Sequence, residues 1–221
     1  MPTELFGLAV DRQWEFENGF YITSPITRIG KLVAHFELYK SIVHLPGHVV
    51  ECGVYKGSSL IRFATFRDLL ESPYSRRIIG FDAFGKFPAQ ERATDQRFIA
   101  EFEAEAGDGI GLADMHAVFA HKHFANYELI QGDVCETIPD YIAAHPELKI
   151  ALLHVDVDVY KPSAVILQHL YGRVVRGGLV VFDDYNLIEG ETAAIDEFLV
   201  DRDVQIEKLP VSHIPSYIRI K

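Results

Sequence analysis

The stretch ALLHVDVDVYKP, residues 151–162, joins an apolar run directly to two carboxylates. Its first residues are of the kind that a parallel strand buries on both faces of a sheet. Asp156 and Asp158 follow without an intervening turn residue. Because ligands bind beyond the carboxyl ends of the strands in open α/β sheets, acids at this point indicate a binding site.

Strand-like and helical patterns alternate around this stretch, from Gly47 onward. Apolar runs predict strands at HVVECGVY (48–55), RRIIGFDAF (76–84), YELIQGD (127–133), LKIALLHVDVD (148–158) and GLVVFDDY (178–185). Helical periodicity predicts helices over 58–71, 134–145, 162–178 and 192–200. This alternation is typical of βαβ units and a parallel sheet. The last two runs, VQIEKLP (204–210) and SYIRIK (216–221), are too close for a crossover and should pair antiparallel.

Two segments fall outside the alternation, although we expect residues 1–221 to form a single domain. Residues 1–46 contain an amphipathic run at 26–43 and predict a helical extension before the first strand of the sheet. Residues 85–126 form a long insertion with two predicted helices, over 95–106 and 112–124. Long insertions beyond strand ends often close over active sites, so we expect this one to form a lid.

The bulk composition is that of a globular protein with a sizeable core. The chain has 221 residues, of which 48% are hydrophobic and 24% charged, and a formal net charge of −11. An acidic surface repels phosphate backbones and anionic lipids, which argues against nucleic acid and membranes as partners. The two cysteines provide neither a disulfide framework nor a CxxC metal motif. The first twenty residues lack the features of a secretion signal, so we expect a soluble, cytoplasmic protein.

A glycine-rich turn, VECGVYKGSS (50–59), connects the first strand of the sheet to its helix. It contains neither the dinucleotide fingerprint GxGxxG nor the phosphate loop GxxxxGK[ST]. Gly53 and Gly57 suit a close approach of the backbone to a ligand. Equally, the turn suits a simple connection with Ser58 as the helix cap, and glycine spacing alone does not decide between the two.

Acids at the ends of the next two strands favour a ligand site. Asp82 ends the second strand, where an acid can accept hydrogen bonds from ribose hydroxyls. Gly132 and Asp133 end the third strand. Any one of these acids taken alone is explained as a solvated loop residue. Acids at the ends of successive strands, all on one edge of the sheet, are not explained in this way.

These motifs together resemble a known family. In order, VVECGVYKGSS, GFDAFGKFP, GD followed by ETIP, HVDVDVYKP and GGLVVFDDY are similar to the motifs of the macrocin-type, TylF-like O-methyltransferases, over roughly residues 47 to 200. The resemblance implies a class I methyltransferase (Rossmann-like) α/β fold. Its seven-stranded sheet would have the order 3-2-1-4-5-7-6, with strand 7 antiparallel and helices on both faces. It also implies Mg²⁺-dependent methyl transfer from S-adenosylmethionine to a hydroxyl of a small acceptor, usually a sugar, with acceptor selection in the extension and the insertion.

The resemblance further assigns roles to individual residues. The cofactor residues would be Glu51, Cys52, Gly53, Gly57, Ser58 and Ser59 along the methionine part, Asp82 at the ribose, Gly132, Asp133 and Val134 around the adenine, and Asp156 nearby. The metal ligands would be Asp156, Asp183 and Asp184.

Elementary chemistry supports the metal assignment. Asp156 ends the fourth strand and Asp183 and Asp184 end the fifth, so their carboxylates should meet at neighbouring strand ends. Mg²⁺ prefers oxygen ligands, and a cation would offset the mutual repulsion of the acids. It would also lower the pKa of the acceptor hydroxyl, and we expect Asp184 or Asp158 to act as the base. Asp158 shares a strand face with Asp156, which makes it a candidate metal or acceptor contact as well. Equally, it suits the N-terminal cap of the helix that begins near residues 161–162.

The histidines provide weaker candidates. His154 precedes Asp156 by two residues and is a further catalytic candidate, although a satisfied core histidine is the commoner role of such a residue. His116, His121 and His123 do not share a helical face or an HExxH motif, which favours surface histidines over a metal site.

Two other functions stay open. An NAD-type oxidoreductase on a related α/β sheet is disfavoured by the missing GxGxxG. A catalytically inactive, methyltransferase-like binding module is disfavoured by the intact acids at 156, 183 and 184. The sequence does not decide whether the chain forms a homo-oligomer.

Overall fold

A seven-stranded sheet forms the centre of the molecule in the computed structural model, which describes residues 3–221. After a short hairpin of β1 (Glu4–Leu5) and β2 (Leu8–Ala9), the strands of this sheet are β3 (His48–Cys52), β4 (Ile78–Asp82), β5 (Tyr127–Gln131), β6 (Ile150–Val155), β7 (Val174–Phe182), β8 (Glu207–Lys208) and β9 (Ser216–Arg219). They lie in the spatial order β5-β4-β3-β6-β7-β9-β8. Neighbours from β5 to β7 are parallel, whereas β9 is antiparallel to β7 and to β8. The predicted order 3-2-1-4-5-7-6 with an antiparallel seventh strand is therefore confirmed.

Helices cover both faces of this sheet. The α-helices of the described chain are α1 (Gln13–Thr23), α2 (Ile26–Lys40), α3 (Ser58–Leu70), α4 (Ala93–Ala106), α5 (Leu112–His121), α6 (Val134–Ala144), α7 (Tyr160–Leu170) and α8 (Glu189–Leu199). Successive strand residues point to opposite faces. Val50 and Leu153 pack in the core that α6, α7 and α8 cover. Val49 and Leu152 pack in the core that α2, α3 and α5 cover, so the central strands are buried on both sides.

Strand β7 begins earlier than predicted, because VVRGG (174–178) belongs to it and not to the preceding helix. Helix α7 already ends at Leu170, and Val174 pairs with Ile150 of β6. A Cβ on Gly178 would lie 2.9 Å from a carbonyl oxygen of β6, so this glycine permits a close approach of two strands. The prediction of a helix up to residue 178 was wrong, because β-branched valines and pairing with β6 outweigh the helical pattern.

The two segments outside the alternation contain the expected helices. Helix α2 packs on α3 and buries Ala34, Leu38 and Tyr39. In the insertion, the buried Asp95 of α4 accepts a hydrogen bond at 3.1 Å from the backbone N–H of Tyr160, which attaches the insertion to the start of α7. The single domain and the lid stay predictions, and residues 1 and 2 of the extension lie outside the described part of the chain. No helix within residues 3–221 combines the length and apolarity needed to cross a membrane.

Candidate active site

A cavity of about 410 Å³ opens at the carboxyl ends of the parallel strands. Most of the predicted site residues line it, namely Gly53, Ser58, Ser59, Asp82, Gly132, Asp133, Val134, Asp156, Asp158, Asp183 and Asp184. The insertion contributes the segment around Phe87 and also Phe102. The strand ends that the sequence singled out therefore meet in one cavity.

The glycine turn after β3 lies directly against the chain that leaves β6. Gly53 has a φ of +91°, and a Cβ at this position would be 1.7 Å from the carbonyl oxygen of Asp156. Only glycine fits such an approach of two backbones. Gly57, with a φ of +80°, is the residue that caps α3, and no side chain bonds to this helix end. The interpretation of Ser58 as the cap was therefore wrong, because Ser58 is already the first residue of the helix.

Asp82 binds the glycine turn to strand β4. Its carboxylate accepts backbone hydrogen bonds from Val54 at 2.6 Å, Tyr55 at 3.0 Å and Phe84 at 2.5 Å. These bonds fix the turn while the residue lines the cavity. The role of Asp82 at a ribose stays a prediction.

Asp133 begins α6 on the next part of the cavity wall. Its carboxylate accepts a hydrogen bond from the Cys135 backbone N–H at 2.8 Å, which caps the helix. Gly132 just before it has a φ of +142° and donates its N–H to the Asp82 carbonyl oxygen at 2.9 Å. The chain segment predicted for an adenine is thus tied to the segment predicted for a ribose.

Three predicted cofactor residues, Glu51, Cys52 and Gly57, do not belong to the cavity lining. Glu51 is fully buried and accepts a hydrogen bond from the Ser59 hydroxyl at 2.5 Å. Burial raises the pKa of Glu51 well above its usual range. Cys52 lies in the apolar core, and burial likewise raises the pKa of its thiol. These residues support the turn from behind, and contact with a cofactor stays a prediction for them.

The carboxylates of Asp156, Asp183 and Asp184 form the acid cluster, in which one oxygen of each lies within 4.8 Å of the others. Burial and the neighbouring carboxylates raise the pKa of Asp156 well above its usual range, and they raise the pKa of Asp184 to about 8. Burial would also raise the pKa of Asp183, but the hydrogen bond with His154, the nearby His35 ring and the Lys31 charge lower it well below its usual range. The cluster therefore combines one firmly ionised acid with two that resist ionisation.

Helix α2 supplies site residues that sequence analysis missed. Arg28, Lys31 and His35 recur at helical spacing and all line the cavity. The Lys31 ammonium contacts the Asp183 carboxylate. Burial would lower the pKa of Lys31, but the charges of Asp183 and Asp156 raise it above its usual value. The spacing was visible in the sequence, but it did not indicate which surface this face of the helix meets.

His154 is a buried neighbour of the acid cluster and does not belong to the cavity lining. Its Nε2 lies 3.3 Å from Asp183 Oδ1, and its Nδ1 lies 3.9 Å from Glu51 Oε1. His35 Nε2 approaches the same Asp183 oxygen at 3.6 Å, and burial lowers the pKa of His35 to about 4. Both rings therefore orient Asp183, and a direct catalytic role of His154 stays a prediction.

Two of the three histidines of the insertion lie at the surface as predicted, whereas His121 is half-buried. His116 and His123 are exposed, and His116 contacts the Tyr127 hydroxyl at 3.0 Å. Within residues 3–221, none of the groups that could hold a metal includes these histidines or His121.

Asp158 does not cap helix α7. The capping position is Val159, which makes no side-chain hydrogen bond, and Asp95 of the insertion accepts the Tyr160 N–H instead. Asp158 has a φ of +64° and lines the cavity beside Asp184. The cap interpretation was wrong because the left-handed backbone turns Asp158 towards the cavity, leaving the helix end to a residue distant in sequence.

Comparisons with known proteins agree with the motifs. The family model described as macrocin O-methyltransferase (TylF) matches residues 16–219. The 8-demethyl-8-(2,3-dimethoxy-alpha-L-rhamnosyl)-tetracenomycin-C 4'-O-methyltransferase of Streptomyces olivaceus is 29% identical over 149 residues, which are 64% of this chain and 54% of the relative. The demethyldecarbamoylnovobiocin O-methyltransferase of Streptomyces niveus is 27% identical over 181 residues, 76% of this chain and 64% of the relative.

A solved structure extends the similarity to nearly the whole chain. The apo structure of a TDP-rhamnose 3'-O-methyltransferase of calicheamicin biosynthesis has a TM-score of 0.69 at 29% identity, covering 94% of this chain and 86% of that one. The chain spans between about half and two thirds of the length of the curated relatives named above. Because the family model covers all of the sheet and the cavity, the chain belongs to the macrocin O-methyltransferase (TylF) family.

Proposed function

We propose that the protein transfers a methyl group from S-adenosylmethionine to a hydroxyl of a small sugar or glycosylated metabolite. The observation that carries the proposal is the contact of Gly53 with the main chain of Asp156, which puts the glycine turn and the acid cluster in one cavity. The relatives are named for rhamnosyl-tetracenomycin, a novobiocin precursor and TDP-rhamnose. These names support a sugar hydroxyl as the acceptor.

The cofactor would lie along the strand ends β3 to β5. The turn at Gly53 and the serines that begin α3 suit its methionine part, since the N-terminus of a helix favours a carboxylate. Asp82 would accept one hydrogen bond from the ribose through the lone pair of Oδ1 that the three backbone amides leave, and Val134 would pack on the adenine. The acid cluster lines the same cavity, so an acceptor held there would lie within reach of the cofactor.

The acid cluster suits Mg²⁺. Its three carboxylates provide hard oxygen donors close enough to share one ion. The raised pKa values of Asp156 and Asp184 indicate that Lys31 alone does not balance the negative charge. When bound, the ion would hold oxygens of the acceptor and lower the pKa of the hydroxyl that is methylated.

Asp158 is the better candidate for the base. Burial raises its pKa to about 6, so it is largely ionised at neutral pH, whereas the pKa of Asp184 lies near 8. Asp158 would take the proton of the acceptor hydroxyl, whose oxygen would receive the methyl group that S-adenosylmethionine supplies, with S-adenosylhomocysteine as the leaving group. Holding both reactants in this geometry removes much of the entropic barrier.

Calorimetry with S-adenosylhomocysteine, with and without Mg²⁺, tests the proposal. Binding of the product cofactor is expected in both conditions, together with a separate Mg²⁺ binding that Asp183→Asn abolishes. No cofactor binding in either condition would refute methyl transfer, and NAD binding would favour the oxidoreductase alternative. Cofactor and Mg²⁺ binding without methylation of any sugar in an acceptor panel would favour the inactive binding module. Cytoplasmic location and a homo-oligomeric state stay predictions.

A further inference from the structure

Two guanidinium groups line the cavity without an acidic partner. Arg28 lies on α2 and Arg62 on α3, and both belong to the cavity wall. In the described chain, residues 3–221, neither side chain takes part in an ion pair or a hydrogen bond. Both arginines therefore keep hydrogen-bond donors free at the cavity of a chain with a net charge of −11.

The packing of the two helices brings these like charges together. Helix α2 packs on α3, and Arg62 is partly buried. Burial, followed by the charge of Arg28, lowers the pKa of Arg62. Two facing cations repel each other, and an anion between them would reverse that cost.

The acid cluster does not serve as their counterion. Asp183 is the carboxylate whose charge acts most strongly on Arg62. Its carboxylate lies beyond ion-pair distance of Arg62, however, and already contacts Lys31 and His154. The unused hydrogen-bond donors of the arginines therefore remain available to a ligand.

We propose that Arg28 and Arg62 bind a phosphate or diphosphate group of the acceptor, so that the sugar is methylated as a phosphorylated or nucleotide-linked sugar. This inference rests on the proposed methyl transfer to a sugar. Arginine forks match phosphate oxygens in two-pronged hydrogen bonds. Arg28 precedes Lys31, which marks the acid cluster, by about 4.5 Å along the helix axis, at 1.5 Å per residue. The arginines and the acids line the same cavity, so one acceptor molecule can reach both.

The carboxylate of the cofactor is the competing ligand for Arg62. Ser58 and Ser59 begin the same helix one turn earlier, and the proposal for the cofactor puts its methionine part there. Arg28 lies on the other helix, α2. The two arginines must therefore be tested separately.

Calorimetric titration of inorganic pyrophosphate into the metal-free protein tests the inference. It is run with and without saturating S-adenosylhomocysteine, on the wild type and on the Arg28→Ala and Arg62→Ala variants. Arg12→Ala is the matched control, because it removes an exposed arginine of the same N-terminal segment that pairs only with Glu15. Each cavity variant should weaken pyrophosphate binding at least about tenfold, the loss of one charge-assisted contact, while the control stays unchanged. Arg62→Lys should restore part of the loss, and thermal melting confirms that the variants fold.

Several outcomes would overturn the inference. Absence of pyrophosphate binding by the wild type, or equal losses in Arg12→Ala and Arg28→Ala, would show that the arginines form no phosphate site. Loss of cofactor affinity in Arg62→Ala with unchanged pyrophosphate binding would assign Arg62 to the cofactor. If S-adenosylhomocysteine binds but pyrophosphate does not, the inference fails and the proposed function stands. If S-adenosylhomocysteine does not bind, the proposed function is refuted. The pyrophosphate titration without cofactor then still decides whether the arginines form a phosphate site.

Discussion

Replacement of Lys31 by methionine should strengthen Mg²⁺ binding about 30-fold. The Lys31 ammonium contacts Asp183, and its charge also acts on Asp156 and Asp184. A cation that enters the acid cluster has to displace this ammonium. Methionine keeps an apolar stem of similar length on α2 and removes only the charge.

The magnitude follows from Coulomb's law and the exposure of the pair. Unit charges about 4 Å apart at an effective dielectric constant of about 20 attract each other by about 4 kcal/mol. The Lys31 side chain is 18% exposed and the Asp183 side chain 3%. Water at the ammonium and the desolvation of both groups remove part of this attraction, and we take about half to remain. About 2 kcal/mol corresponds to about 30-fold in a dissociation constant.

Isothermal titration of Mg²⁺ into chelator-treated protein measures this effect without any methyl acceptor. Lys56→Met is the matched control, since Lys56 lines the same cavity but donates to the Ala106 carbonyl oxygen at 2.5 Å. Its Mg²⁺ affinity should stay within about threefold of the wild type, which is under 1 kcal/mol. Unchanged or weaker Mg²⁺ binding by Lys31→Met would refute the competition, because removal of a neighbouring positive charge can only favour a cation in the acid cluster.

Two further predictions concern the base and the glycine turn. Asp158→Asn should lower kcat by at least about 100-fold while the affinities for S-adenosylhomocysteine and Mg²⁺ stay nearly unchanged, because asparagine tolerates the left-handed backbone but accepts no proton. In the wild type, kcat/KM should fall as the pH drops below about 6, because Asp158 becomes protonated there and a bound Mg²⁺ moves that fall only to lower pH. Methyl-transfer rates near those of the wild type in the variant would exclude Asp158 as the base. Gly53→Ala should lower the free energy of unfolding by more than about 3 kcal/mol, since it adds a strained φ to a backbone clash. Gly19→Ala, in open space on α1, should raise it by about 0.5–1 kcal/mol, and urea denaturation in which both variants resemble the wild type would contradict the geometry of the turn.

The edge of the sheet was predictable because strand order and strand ends follow from local patterns. Asp82, Asp133, Asp156 and Asp183 each come at or just after an apolar run, and parallel strands deliver their carboxyl ends to one side. Each run ends within a few residues of its acid whatever the exact boundary of the strand. Even the error at β7 left its carboxyl end, and hence the acid cluster, in the predicted place.

The cationic side of the cavity was not predictable from such patterns. Arg28, Lys31 and His35 belong to a helix that precedes the sheet, and in the sequence they are ordinary polar positions of an amphipathic run. Their common face is visible in the spacing, but the surface it meets depends on how α2 packs against α3. The same applies to Asp95, whose bond to the start of α7 spans a long stretch of chain.

Asp158 and Asp184 are held together by helix α8 more than by their own strands. The carbonyl oxygen of Asp158 accepts a hydrogen bond from the Glu191 N–H at 3.1 Å, and the buried Glu191 carboxyl accepts one from the Asp184 N–H at 3.2 Å. A left-handed backbone costs a non-glycine residue about 1–3 kcal/mol, so Asp158 keeps this conformation only where neighbouring contacts sustain it. The two-residue spacing of Asp156 and Asp158 therefore says little about their geometry. Asp156 is positioned by the glycine turn at Gly53, whereas Asp158 is positioned with Asp184 by the first turn of α8, so this helix couples the proposed base to one of the proposed metal ligands.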